Sequence, residues 1–389
     1  MTYDLIIQGG TVVDPAQSIH GTMDVAIQDG LIAELSPSLA ASQGSKTIDA
    51  RGQLVVPGLI DLHVHVYHRH VPISLEPDSL CAAGGVTTML DAGSAGSYNF
   101  DGFRHDIIER AETQLFGLVN LSCMGLIVAH YGELMDRRYA DPEGVVETIR
   151  RHPDLALGVK IRAGRHIIGD GQMGRDNFMD AVRAARESET WLMVHIGESP
   201  LSIPDMLKEM QPGDCITHCF KGGSERILAP DNQLFEAVRE ASDRGIIFDV
   251  GHGRGSFQWD VVEAAIEQGF EPTTISTDLH QMNINGPVYD MPTTMSKFLL
   301  LGCTLDRVVE MSTTIPARVL GKENDLGTLR VGSVADVAVL ERREGAFLLS
   351  DSLDQMRTGR ELLVAAATVR RGRLIPGGGG TRMLHRTDQ

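Results

Sequence analysis

Five cysteines in 389 residues, at positions 81, 123, 215, 219 and 303, are too few, too scattered and too odd in number for a disulfide framework. Their scarcity predicts reduced thiols in a cytoplasmic protein. Cys215 and Cys219 are soft enough to bind a metal, but they flank an apolar run, so core packing is the favoured reading. No segment reaches the roughly 20 apolar residues that cross a bilayer. The opening residues, MTYDLIIQGG, lack a basic stretch followed by a long apolar one, so neither a membrane span nor an export signal is expected. Positive charge is short as well. Lys and Arg number 35 against 52 Asp and Glu, a net charge of -17 that argues against non-specific binding to nucleic acid or an anionic membrane. A small anionic substrate stays compatible, because a metal ion can reverse the potential locally. Short internal repeats are absent too, which removes a solenoid.

What is present is two textures. The first 50 residues and the stretch after 322 read as short strands broken by Gly and Asp, as in DLIIQGGTVVD and GTLRVGSVADVAVLE. Between them, apolar runs alternate with stretches such as DNFMDAVRAARESE, whose apolar residues recur at three- and four-residue spacing. The runs at 54–62, 86–91, 118–127, 155–161, 191–196, 215–219, 246–250 and 274–277 are nearly all apolar, as strands buried on both faces should be. Eight strands with connecting helices predict an α/β fold, a (β/α)8 TIM barrel over 54–322. Residues 1–53 and 323–389 are expected to form a small accessory β-sandwich from both chain termini, ending in a loose tail, GGGGTRMLHRTDQ.

Ligand-type residues sit at the ends of these runs. His63 and His65 close the first, Lys160 the fourth and His195 the fifth; His218 lies in the sixth and Asp278 ends the eighth. The C-terminal ends of barrel strands share one face, where barrel enzymes keep their active sites. Residues i and i+2 of a strand point the same way, so His63 and His65 can grip one metal. Imidazoles and carboxylates suit Zn2+, with Mn2+, Fe2+ or Ni2+ as alternatives. A lysine buried as a cation would cost several kcal/mol. Lys160 is therefore either paired with a nearby Asp or converted by CO2 into a carbamate, an anion able to bridge two metals. The plain readings of the others are a helix N-cap for Asp278 and packed core histidines for His195 and His218.

This pattern resembles the amidohydrolase superfamily over essentially the whole chain. The family places His-x-His after strand one, a carboxylated Lys after strand four, His after strands five and six, and Asp after strand eight. The resemblance implies one metal on His63, His65, Lys160 and Asp278 and a second on Lys160, His195 and His218. It further implies a hydroxide bridging the two ions and Asp278 as the group that takes and passes on its proton.

Within the superfamily the chain looks like the dihydroorotase and deacetylase branch, and the segments GHGRGSF and VKIRAG resemble its deacetylase subgroup. Dihydroorotases usually carry an Arg two residues after the second His to hold the substrate carboxylate. Tyr67 stands in that substrate-binding position here, which puts a dihydroorotase in doubt. Arg162, two residues past Lys160, is a candidate for a substrate carboxylate or for a salt bridge at the barrel rim. His252 and His280, just past strand ends, are candidates for the leaving group or carbonyl, or loop histidines; His68 and His70 are weaker ones. The expected activity is deacetylase-type hydrolysis of an amide or ester in a small acylated, carboxylate-bearing substrate. Rival readings are a mononuclear aminohydrolase of the adenine-deaminase type, suggested by Glu198 three residues after His195, a dihydroorotase-like cyclic amidohydrolase, and a non-enzymatic scaffold. Self-association into a homo-oligomer is left open.

Overall fold

The computed structural model describes residues 2–376, so the glycine-rich tail predicted at the C-terminus lies outside the described residues. Seven parallel strands follow one another in sequence and in space: Leu59–Val64, Val86–Asp91, Gln114–Asn120, Ala156–Arg162, Trp191–His195, Cys215–Thr217 and Ile247–Asp249. Their residues are almost all buried, as expected of strands flanked by helices on one side and filled by side chains on the other. The helices between them are locally encoded. In Pro142–Arg151, for example, Asp141 caps the N-terminus by accepting from the Gly144 amide, and Pro142 occupies the first turn, where its missing N–H costs nothing.

The eighth run closes the ring without forming a ladder. Asp249 bridges to Thr274 and Val64 bridges to Leu279, so residues 274–279 touch both edges of the seven-stranded sheet. Regular pairing is interrupted because a side chain captures the backbone. Asp61 accepts from the Thr277 amide at 3.0 Å and from the Thr277 hydroxyl at 2.5 Å.

Two strand boundaries differ from the sequence expectation. The run 54–62 is not one strand: Leu54–Pro57 pairs with Leu5–Asp14 and Val337–Ser350, and only Leu59–Val64 enters the barrel. The hand-over falls at Gly58, where a Cβ would stand 2.2 Å from Thr87 Oγ1. The third strand is Gln114–Asn120 rather than 118–127, and residues Gly125–Tyr131 coil into 3-10 turns beyond its C-terminal end.

The accessory unit is built from both chain ends, and seven of its eight strands follow one hydrogen-bonded path, with Thr47–Asp49 pairing off it onto Leu5–Asp14. The expected sandwich is not confirmed: hydrogen bonds join all eight strands into a single branched sheet. Long antiparallel strands Val337–Ser350 and Met356–Arg370 dominate it, and an apolar cluster including Ile7, Val25, Val55 and Val339 covers one side. The helix Met291–Leu300 joins this sheet to the barrel, with Ser296 Oγ accepting from the Leu363 amide at 2.9 Å. All five cysteines are free thiols, and Cys215 and Cys219 lie in apolar clusters with burial pushing both thiols well up. No helix of the described residues is long and apolar enough to cross a membrane.

Candidate metal centre

The six residues expected as ligands meet at the C-terminal end of the barrel. His63 Nε2 and His65 Nε2 lie 3.5 and 3.2 Å from Asp278 Oδ1. Lys160 Nζ is 3.3 Å from His63 Nε2, and His218 Nε2 is 2.7 Å from His195 Nδ1. Ligating atoms of His63, His218 and Asp278 all fall within 4.8 Å of one another, a spread that one ion could span. Those three come from both of the implied ligand sets, so the six residues form a single cluster. His218 and Asp278 adopt left-handed backbone, with φ of 66° and 50°, a strained choice for non-glycine residues that fits a functional turn.

The outward-facing nitrogens are already committed. Thr217 Oγ1 spends its proton on Asp249 Oδ2 at 2.8 Å, so it accepts from His63 Nδ1, also at 2.8 Å. The Gly251 carbonyl can only accept, which places the His218 proton on Nδ1, 2.6 Å away. Both rings therefore turn an Nε2 lone pair inward. His65 Nδ1 is likewise held by Ser94 Oγ at 2.9 Å. This is how metal-binding imidazoles are oriented: one nitrogen fixed by an outer partner, the other left to ligate.

Charge states agree. Burial holds His63 and His195 well below their ordinary value and brings His218 to about 3, so all three are neutral donors. Burial alone would raise Asp278, but a hydrogen bond from His65 and the surrounding histidines bring it down to about 2. Burial brings the fully enclosed Lys160 amine down to about 8. Its hydrogen-bond partners are His63 and the Met193 sulfur rather than a carboxylate, so the ion pair with Asp considered from the sequence is not formed. Neutral imidazoles and an ionised carboxylate, beside a buried amine whose pKa burial has lowered, form a set that fits a divalent metal.

The expected substrate-binding residues divide. His280 is buried 6.4 Å from the His65 ring, centroid to centroid. Arg162 is at the rim, with Nε and Nη2 clasping Glu133 at 2.7 and 2.6 Å; Glu133 is completely buried. Its Nη1 has no partner among the described residues. Tyr67 is not brought to the site: its hydroxyl donates to the Asn99 carbonyl at 3.0 Å and its ring packs on Phe103, because the chain turns away after His65. His252 is enclosed, with Nε2 2.6 Å from Lys297 Nζ, and does not face a ligand. His70 pairs with Asp106 on the surface, and the Glu198 carbonyl receives the Arg165 amide at the start of a short helix. A cleft of about 1720 Å³ lined by Lys46, Glu109, Gln114 and Arg371 lies at the opposite end of the barrel, where the third strand begins.

Sequence reasoning missed Thr217, Ser94, Asp249 and Glu133. Hydroxyls and single acids carry no spacing signal until the fold sets them behind a ligand.

The amidohydrolase family profile matches residues 54–356. The chain belongs to the amidohydrolase family. Among its relatives, a deacetylase of Brucella anthropi is 36% identical over 365 residues, covering 91% of this chain and 90% of that protein. The crystal structure of an adenine deaminase superposes with a TM-score of 0.87 at 33% identity, covering 96% of this chain and 99% of the other. That of a dihydroorotase gives 0.88 at 34% identity, covering 95% and 97%. The protein is thus an amidohydrolase-family hydrolase with a TIM-barrel fold.

Proposed function

We propose that this amidohydrolase is a metal-dependent deacetylase that cleaves the amide or ester bond of a small acylated acid. The observation that carries the proposal is Lys160, buried against His63 and Met193 in the middle of the histidine cluster. A buried amine near neutrality is primed to add CO2, and the resulting carbamate would offer one oxygen to each of two ions. His63, His65, Lys160 and Asp278 would hold one ion, and Lys160, His195 and His218 the other. Bound there, divalent ions, zinc by the donor set, supply Lewis acidity toward the scissile carbonyl and toward water. Asp278, kept ionised by its histidines, accepts the proton of the attacking water and delivers it to the leaving amine or alkoxide. His280 adds a polar contact beside His65 for the carbonyl or leaving group.

Arg162 is assigned to the substrate carboxylate through Nη1, while Glu133 holds the rest of its fork in place. Tyr67, directed into the core, leaves no group where a dihydroorotase would place its arginine, which supports the deacetylase over the dihydroorotase. The adenine-deaminase neighbour keeps a single-metal aminohydrolase as the second reading.

Metal analysis and turnover separate the two. The expected result is about two ions per chain, with release of acetate from N-acyl or O-acyl acids. Lys160→Ala should lose metal together with at least about 10³-fold in kcat, an effect of roughly 4 kcal/mol. One ion per chain with ammonia released from adenine would overturn the proposal.

A further inference from the structure

Lys297 is a fully buried lysine that neither the metal cluster nor the substrate-binding reading uses. It projects from the helix Met291–Leu300 and makes three hydrogen bonds: to His252 Nε2 at 2.6 Å, the Ser350 carbonyl at 2.6 Å and the Pro287 carbonyl at 3.0 Å. Three acceptors meet the three N–H donors of the protonated amine, which offsets part of a burial that brings its pKa down to about 7. The contacts join four segments: the helix, the loop after the seventh strand, the loop after the eighth and the end of accessory strand Val337–Ser350.

From His252 the connection runs to the metal-facing end. His252 Nδ1 lies 3.0 Å from the Gly253 carbonyl, and its ring stacks on Phe257 at 4.6 Å. The Gly253 amide donates to the Thr277 carbonyl at 2.9 Å. Gly253 sits at φ 56°, and a Cβ there would stand 2.5 Å from Asp278 Oδ2, so the backbone of this residue is the wall against which the Asp278 carboxylate rests. On the far side the same loop is clamped by the accessory hairpin. The Phe257 amide donates to Ser352 Oγ at 3.0 Å and the Trp259 amide to Asp351 Oδ2 at 3.1 Å.

We propose that Lys297 is a positioning residue for Asp278, acting through His252 and Gly253, and that it ties the accessory hairpin to the metal-facing end of the barrel. His252 is then part of this support and not a substrate contact. The inference rests on Asp278 being a metal ligand, as proposed above, and not on the identity of the substrate.

The test uses the full chain and Zn2+ as probe, with affinity measured by competition against a chromogenic chelator, and kcat and KM measured on an activated acetyl ester. Lys297→Met and His252→Phe should each weaken Zn2+ binding by about tenfold or more, the usual effect of losing an outer support of a ligand. Each should lower kcat while KM moves by less than about threefold, since substrate contacts are untouched. Their combination should be no worse than the more damaging single change, as expected for members of one connection. His252→Gln, whose amide oxygen can replace Nε2 as the acceptor for Lys297, should recover most of what His252→Phe loses. Folded Lys297→Met with unchanged zinc affinity and kcat would overturn the proposal, and so would His252→Gln performing no better than His252→Phe. Should Lys297→Met fail to fold, the two His252 variants decide. Wild-type protein that binds zinc and leaves the ester intact would sink the deacetylase reading, with the zinc measurements still deciding this one.

Discussion

At the scale of single residues, hydroxyls and acids stand behind the clustered histidines and orient them. Thr217 is the sharpest case, because its one proton goes to Asp249 and so determines which nitrogen of His63 is free. Thr217→Val keeps the shape and removes the hydroxyl. The expected outcome is a zinc affinity lowered by about 10–100-fold, read by chelator competition, with little change in secondary structure. Arg162 makes a second case, since its fork holds the buried Glu133 and is also proposed to bind the substrate carboxylate. Arg162→Met should leave Glu133 buried and uncompensated and cost about 3–5 kcal/mol in urea denaturation. Adding Glu133→Gln should restore much of that stability without restoring the preference for carboxylate-bearing substrates. Full restoration of that preference would remove Arg162 from the substrate reading. His63, His65, Lys160, His195, His218 and Asp278 were legible in the sequence because polar groups at the ends of apolar strands stand out. Thr217 and Glu133 were not, because nothing local distinguishes a supporting hydroxyl or acid from a solvated one.

At the scale of elements, the strand textures were legible but their assignments were not. Residues 54–62 are apolar throughout, and apolarity does not say which sheet each half joins. The break is set by close approach: Gly58 passes Thr87 Oγ1 and Asp336 Cβ at distances of 2.2 and 3.0 Å from where a Cβ would be. Gly58→Ala should therefore lower stability by about 1–3 kcal/mol, the usual cost of overpacking, seen as a reduced urea midpoint with an unchanged slope. The eighth run shows the same limit in another form. Backbone bonds at both edges, such as the Val250 amide to the Thr274 carbonyl and the His65 amide to the Leu279 carbonyl, are supplemented by side-chain bonds to buried Asp61 and Asp249, so the barrel closes through isolated bridges and not a regular ladder.

At the scale of the whole molecule, the buried histidines make the metal-free protein sensitive to acid. Burial holds His63, His195, His218, His252 and His280 below their ordinary value in the folded chain. Each regains that value on unfolding, so below about pH 6.5 the unfolded chain binds more protons and stability falls as pH falls. Burial moves four acids the opposite way, Asp61 to about 7 with Asp249, Asp336 and the partly buried Glu225 also raised, and they favour the folded chain as pH drops. The five histidines, three of them held well below their ordinary value, exceed the four acids, so stability falls on balance toward acid. Urea midpoints of chelator-treated protein should be lower at pH 5 than at pH 7. Equal midpoints would mean that the histidines are not held neutral by the fold.

The sequence by itself determined the barrel, the mixed origin of the accessory sheet and which His, Lys and Asp residues gather at the end of the barrel. All three follow from short-range information: strand periodicity, and polar side chains placed where an apolar strand ends. Only the tertiary structure decided that Tyr67 turns into the core, that Arg162 pairs with Glu133, and that buried Lys297 bonds to His252. These depend on partners 29 to 53 positions away in the chain. Such contacts leave no periodic trace, and only the closed barrel brings their members within hydrogen-bonding reach.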